Sequence, residues 1–117
     1  MSGQGNAPTR LSAYQIMWML VMFDLPVMEP KERKEATRFR NFLLDQGFEM
    51  AQYSVYMRFC KGKEQVEVYA RRIERNLPSG GKINMIAFTD KQYENIRTFH
   101  GQQAQPGRKS PGQLTLF

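Results

Sequence analysis

The run Ile16-Met17-Trp18-Met19-Leu20-Val21-Met22-Phe23, closed by Asp24-Leu25-Pro26, decides how this chain of 117 residues folds. From Tyr14 to Phe23 it shows neither the alternation of a half-buried strand nor a helical period, and it carries Ile, Val, Trp and Phe. Such a segment reads as a strand covered on both faces. Pro26 bounds it, because proline cannot continue a strand interior. A carboxylate, Asp24, therefore stands at the lip of an apolar strand.

Working outward, Pro30 offers a first-turn position with a preset φ, and Glu29, Glu32 and Glu35 place negative charge near a positive helix end. Ala36, Phe39 and Leu43 repeat at helical spacing, Phe42 widens the stripe, and Gly47 is a left-handed cap. Residues 48–59 are rich in β-branched and aromatic side chains, which predicts one bent strand or two short ones around Gln52 to Ser54. Val66, Tyr69, Ala70, Ile73 and Leu77 give a second amphipathic helix, stopped by Pro78 and Gly80-Gly81. Residues 82–89 read as a further strand, and Asp90-Lys91-Gln92 is short enough to turn back into a strand over 93–99.

The resulting β-α-β-β-α-β order, with an extra C-terminal strand, is the pattern of an α+β, ferredoxin-like antiparallel sheet. Residues 1–13 read as a flexible leader, 14–100 as the domain, and 101–117 as a Gly/Pro/Gln linker and docking tail ending in Leu114, Leu116 and Phe117. Two helices cover one face of such a sheet. The apolar strands at 16–23 and 83–88 ask for cover on the other face as well, and a second copy supplies it most simply through a two-fold interface. A homodimer, sheet face to sheet face, is the expectation.

Seventeen Lys and Arg against eleven Asp and Glu give a net charge of +6, which favours a polyanionic partner such as nucleic acid. A single cysteine, Cys60, excludes an internal disulfide and a thiolate zinc cluster, and suits a reducing, cytoplasmic setting. The apolar run is too short to cross a membrane as a helix. His100 is the only histidine, so neither a triad nor a zinc site can be assembled around it. Asp24 has two readings. It can accept hydrogen bonds in an Asp-x-Pro turn. Alternatively, paired with its symmetry mate, it can supply oxygen ligands to Mg²⁺ or Mn²⁺, an ion able to generate hydroxide for phosphodiester cleavage.

Phe23-Asp24-Leu25-Pro26, the arginine-bearing first helix and Ala51-Gln52-Tyr53-Ser54-Val55-Tyr56 together resemble the small CRISPR-associated endonucleases, the Cas-two family of the spacer-integration complex, over about residues 16–101. Within that family the pattern looks most like members from loci with a single large effector nuclease. The resemblance implies a homodimer, a Mg²⁺ site with Asp24 as catalytic carboxylate and metal ligand, and a complex with the larger CRISPR integrase subunit. It also implies either a scaffold for double-stranded DNA during spacer acquisition or a metal-dependent endonuclease on RNA or DNA. Ala51 and Tyr56 depart mildly from the family's usual Val and Phe.

For phosphate neutralisation the candidates are Arg33, Lys34, Arg38 and Arg40 on the first helix and Arg71, Arg72 and Arg75 on the second, each of which can equally be an ordinary solvated charge. Leu114, Leu116 and Phe117 can add a strand to a partner's open sheet edge or remain a loose terminus. An alternative function is an RRM-like RNA-binding module without catalysis. It asks for an aromatic sheet with a Lys/Arg-Gly-Phe signature, which Phe59-Cys60-Lys61-Gly62-Lys63 does not provide.

Overall fold

A computed structural model describes residues 16–102. The chain runs β1 (Met17–Asp24), α1 (Pro30–Asp45), β2 (Glu49–Gln52), β3 (Val55–Cys60), α2 (Lys63–Glu74), β4 (Lys82–Thr89) and α3 (Asp90–Glu94). The strands form one antiparallel sheet in the order β2-β3-β1-β4, which is the expected βαββαβ arrangement. The 1–13 leader and the tail residues Leu114, Leu116 and Phe117 lie outside the described residues.

Although β1 is apolar almost throughout, its burial alternates. Met17, Met19, Val21 and Phe23 are buried beneath the helices, whereas Trp18, Leu20 and Met22 turn to the other side. On the helix side they pack with Phe39 and Leu43 of α1, Phe48, Tyr56 and Cys60, and Val66 and Ile73 of α2. Phe39, Phe48, Met19 and Leu43 are sealed from solvent, so truncating any of them leaves a cavity as well as losing contact area.

Sequence punctuation sets the helix limits. Pro30 opens α1, and the Glu32 carboxylate accepts from the backbone N–H groups of Glu29 and Met28 at 3.0 and 2.9 Å. Gly47, at φ +87°, closes it, and the Phe48 N–H returns to the Leu43 carbonyl at 3.0 Å. The last turn of α1 has no basic residue of its own. Arg58 of β3 supplies the missing charge by donating to the Gln46 carbonyl, while its guanidinium lies 4.0 Å from the Tyr69 ring centre.

Two expectations are corrected. The second helix stops at Glu74, so Leu77 falls beyond it and is half-exposed. Residues 93–99 do not form a strand: 90–94 are the short helix α3, and 96–102 are irregular. The cause is local capping. The Thr89 hydroxyl accepts from the Gln92 N–H at 3.1 Å, and the Gln92 side chain accepts from the Thr89 N–H at 2.9 Å. Tyr93 is then carried onto the open side of the sheet, where its ring stacks on Trp18 at 4.0 Å, and the Trp18 indole N–H donates to Asp90 at 2.9 Å. This clasp covers one end of the open face. Met22, Phe59 and Ile86 stay substantially exposed there, at 36, 41 and 50 %.

Candidate functional site

Asp24 is the last residue of β1, exposed, on the same side of the sheet as Trp18, Leu20 and Met22. Strand register explains its surroundings. Its cross-strand partner on one flank is Lys82, the first residue of β4, and such partners project from the same face. On the other flank the β1/β3 pairing runs to Met22 opposite Val55, and the Phe23 N–H still reaches the Ser54 carbonyl at 3.1 Å. Tyr53 and Ser54 are the turn residues that join β2 to β3 beyond the last paired positions. Lys82 and Asp24 thus stand side by side at one end of the sheet, both exposed, while Tyr53 in the β2/β3 turn is 82 % accessible.

The backbone around this pair is held firmly. Arg33 donates to the carbonyls of Val27 and Met28 at 3.1 and 2.9 Å, fixing the loop that leaves Asp24. Gly81, at φ +90°, lets the chain entering β4 lie against that loop, since a Cβ there would come within 2.7 Å of the Asp24 carbonyl oxygen and of Leu25 Cδ2. Ser54 has φ +64°, the one positive-φ non-glycine among the described residues, a conformation that costs on the order of 1 kcal/mol or more.

Among the described residues the one ion pair joins Arg38 to Glu35, so neither Asp24 nor Lys82 is neutralised by a salt bridge. The Asp24 carboxylate takes none of the side-chain hydrogen bonds found there either, including those that organise the following loop. Asp24 is an unpaired hard oxygen donor of the kind that Mg²⁺ or Mn²⁺ accepts. No group of three or more His, Cys, Asp or Glu side chains among the described residues could hold a metal. Among the described residues, one chain therefore offers no complete set of ligands at Asp24. Cys60 lies in the core, where burial pushes its thiol up, and His100 is exposed beyond α3. Cys60 pairs with Met17, at the opposite end of β1 from Asp24.

The architecture matches a solved structure described as the crystal structure of cas2, with a TM-score of 0.54 over 83 % of this chain and 99 % of that one; at 18 % identity it bears on fold alone. The family model for CRISPR associated protein Cas2 matches residues 17–96, from the first residue of β1 to just beyond α3. The chain belongs to the Cas2 family. Proteins named CRISPR-associated endoribonuclease Cas2 are similar to it at 55 % identity in Paracidovorax avenae, covering 92 % of this chain and 99 % of that one, and at 47 % in Flavobacterium psychrophilum, covering 93 % and 95 %. A third, from Parvibaculum lavamentivorans, is 45 % identical over 86 % of this chain and the whole of its own length. The match to the Cas2 family thus spans β1 to α3 and includes Asp24.

The candidate phosphate contacts of this Cas2 chain divide by what their side chains already do. Arg33, Lys34 and Arg38 line one shallow groove on α1 beside Asn76. Arg38 spans to the end of α2, donating to the Asn76 and Leu77 carbonyls at 3.2 Å, and its guanidinium holds the Glu35 carboxyl below the ordinary value of 4.5. Arg72 donates to Gln46 Oε1 at 2.9 Å and lies over Tyr69, and Arg40 makes a weak contact to Thr37. Lys34, Arg71 and Arg75 are exposed on the helical side. None of these seven is at the Asp24 end of the open face. Lys82, which is there, was not legible as a neighbour of Asp24, because cross-strand register cannot be read from one strand at a time.

Proposed function

We propose that the chain is the homodimeric small subunit of the CRISPR spacer-acquisition machinery, whose open sheet faces close on each other and whose Asp24 carboxylates supply a Mg²⁺- or Mn²⁺-dependent endonuclease centre. One observation carries this reading: an unpaired carboxylate sits at the rim of an apolar sheet face formed by Leu20, Met22, Met57 and Ile86. Closing that face with a second copy removes large side chains from water, each contributing roughly 1.5–3 kcal/mol when fully buried. It also carries two Asp24 side chains towards a common axis. When bound there, the ion lowers the pKa of a water and stabilises charge on the phosphate. The protein's part is to hold Asp24 fixed through Gly81 and Arg33 and to keep it unpaired.

The basic faces of α1 and α2, on the opposite side of the sheet, then bind the backbone of double-stranded DNA without reading bases, alongside the larger integrase subunit. The endoribonuclease name of the relatives supports RNA as a second substrate. An RRM-like module is disfavoured, since Tyr93 already occupies the ring of Trp18 that such a module leaves free for a base.

Two measurements test the proposal. Sedimentation should give a dimer at micromolar concentration. Purified protein with Mg²⁺ should cleave RNA or DNA, and cleavage should vanish with EDTA or in Asp24→Asn. A monomer, or cleavage undiminished in Asp24→Asn, overturns it.

A further inference from the structure

The loop that leaves Asp24 carries two apolar side chains without cover: Val27 is 47 % and Met28 85 % exposed. Packing of these side chains therefore does not hold the loop in place, and its backbone is held instead by two adjacent charged residues of α1. Glu32 Oε1 accepts from the N–H groups of Met28 and Glu29 at 2.9 and 3.0 Å. Arg33 Nη1 donates to the carbonyls of Val27 and Met28 at 3.1 and 2.9 Å. Both backbone polar groups of Met28 are thus gripped, the N–H by a carboxylate and the carbonyl by a guanidinium. We infer that Glu32 is a positioning residue of the Asp24 centre, acting with Arg33 as a latch of two opposite charges on the loop that follows the carboxylate. This rests on the reading of Asp24 as the carboxylate of a metal-dependent nuclease.

Three features separate the latch from an ordinary helix start. A capping box asks Glu32 to reach only the Glu29 N–H, whereas the same oxygen here also takes the Met28 N–H, and Arg33 adds two carbonyls that no cap requires. Neither charge is engaged in a salt bridge, since Arg38–Glu35 is the one ion pair among the described residues. The path from latch to carboxylate is also short and stiff. Leu25, Pro26 and Val27 alone lie between Asp24 and Met28, Pro26 has its φ locked, and Gly81 lies against the Asp24 carbonyl and Leu25 at the other end. Asp24 is the last residue of β1, where a strand opens most easily, so the backbone on either side decides where its unpaired carboxylate points. Arg33 serves the site through this loop rather than by touching phosphate.

The test uses the opposite charges of the pair. Glu32→Ala removes a negative charge and Arg33→Ala a positive one, so a surface that only attracts nucleic acid responds to them in opposite directions, and a latch responds to both alike. In the full chain in EDTA, hydrogen exchange of the 25–29 loop amides should quicken by about tenfold or more in both variants and stay slow in Glu32→Gln, which keeps the accepting oxygen. With Mg²⁺, kcat for nucleic-acid cleavage should fall by about tenfold or more in both alanine variants at unchanged KM, and Glu32→Gln should restore it. The slope of binding against salt should not change in Arg33→Ala, whereas loss of a phosphate contact would lower it by about one unit. Unaltered loop exchange or unaltered kcat in Glu32→Ala overturns the inference, as does a lowered salt slope with normal kcat in Arg33→Ala. A wild-type protein that cleaves while Glu32→Ala cleaves equally fast sinks this inference alone; a wild-type protein that does not cleave sinks the nuclease reading and this inference with it.

Discussion

The two faces of the sheet are made of similar residues and do different things. On the helix side, Met19 and Val21 of β1 are fully enclosed by Phe39, Leu43 and the α2 residues. On the other side, Tyr93 covers Trp18 at one end, while Leu20 and Met22 of the same strand share a partly open face with Met57 and Ile86. An apolar side chain is therefore not a core side chain until the topology supplies something to pack on it. What distinguishes the faces is the presence of α1 and α2, and what the outward face retains is surface available to another molecule.

That contrast can be broken from either side. The largest effect is expected from Phe39→Ala, which should lose about 3–5 kcal/mol of unfolding free energy in a urea titration, because the enclosed face cannot collapse around the void. Gly81→Ala should cost about 1–3 kcal/mol in the same assay, since the added methyl meets the Asp24 carbonyl at a positive φ. Ile86→Asp on the outward face should change the stability of the folded single chain by only about 1 kcal/mol, yet convert a sedimenting dimer to a monomer. If it destabilised the fold as much as Phe39→Ala, the two faces would be equivalent.

The smallest effect concerns acid. Arg38 holds the Glu35 carboxyl below 4.5, so the folded state binds that proton less readily than the unfolded chain does. The stabilisation is present above 4.5 and fades as pH falls below it through the lowered value. Glu35→Gln should accordingly flatten the dependence of Tm on pH in that range and leave Tm at neutral pH little changed, as expected of a solvent-accessible pair.

Much of this architecture was legible. Pro30 and Gly47 bound α1, the β-rich residues 48–59 split at Tyr53-Ser54 as anticipated, and β4 occupies 82–89. Those features are local, set by backbone preference and spacing. Alternating burial in β1 was hidden because both of its faces are apolar, so the sequence pattern carried no sign of which face the helices take. The α3 error arose from β-prone Tyr93, Ile96 and Phe99 outvoting the Thr89-to-Gln92 cap, whose two reciprocal bonds and the Trp18 stack prevail. Asp24 stood out as a lone carboxylate at the end of an apolar run. Its strand neighbour Lys82 lies 58 positions away, joined to it only by pairing.

The clasp of α3 over Trp18 has a practical corollary. Trp18 is the sole tryptophan, and both its ring face and its indole proton are engaged by residues just past β4. Emission from that one fluorophore is thus a built-in optical gauge of whether Tyr93 and Asp90 are seated. It lies at the opposite end of β1 from Asp24, so the gauge can be read while substrates or ions are added there without dye or label.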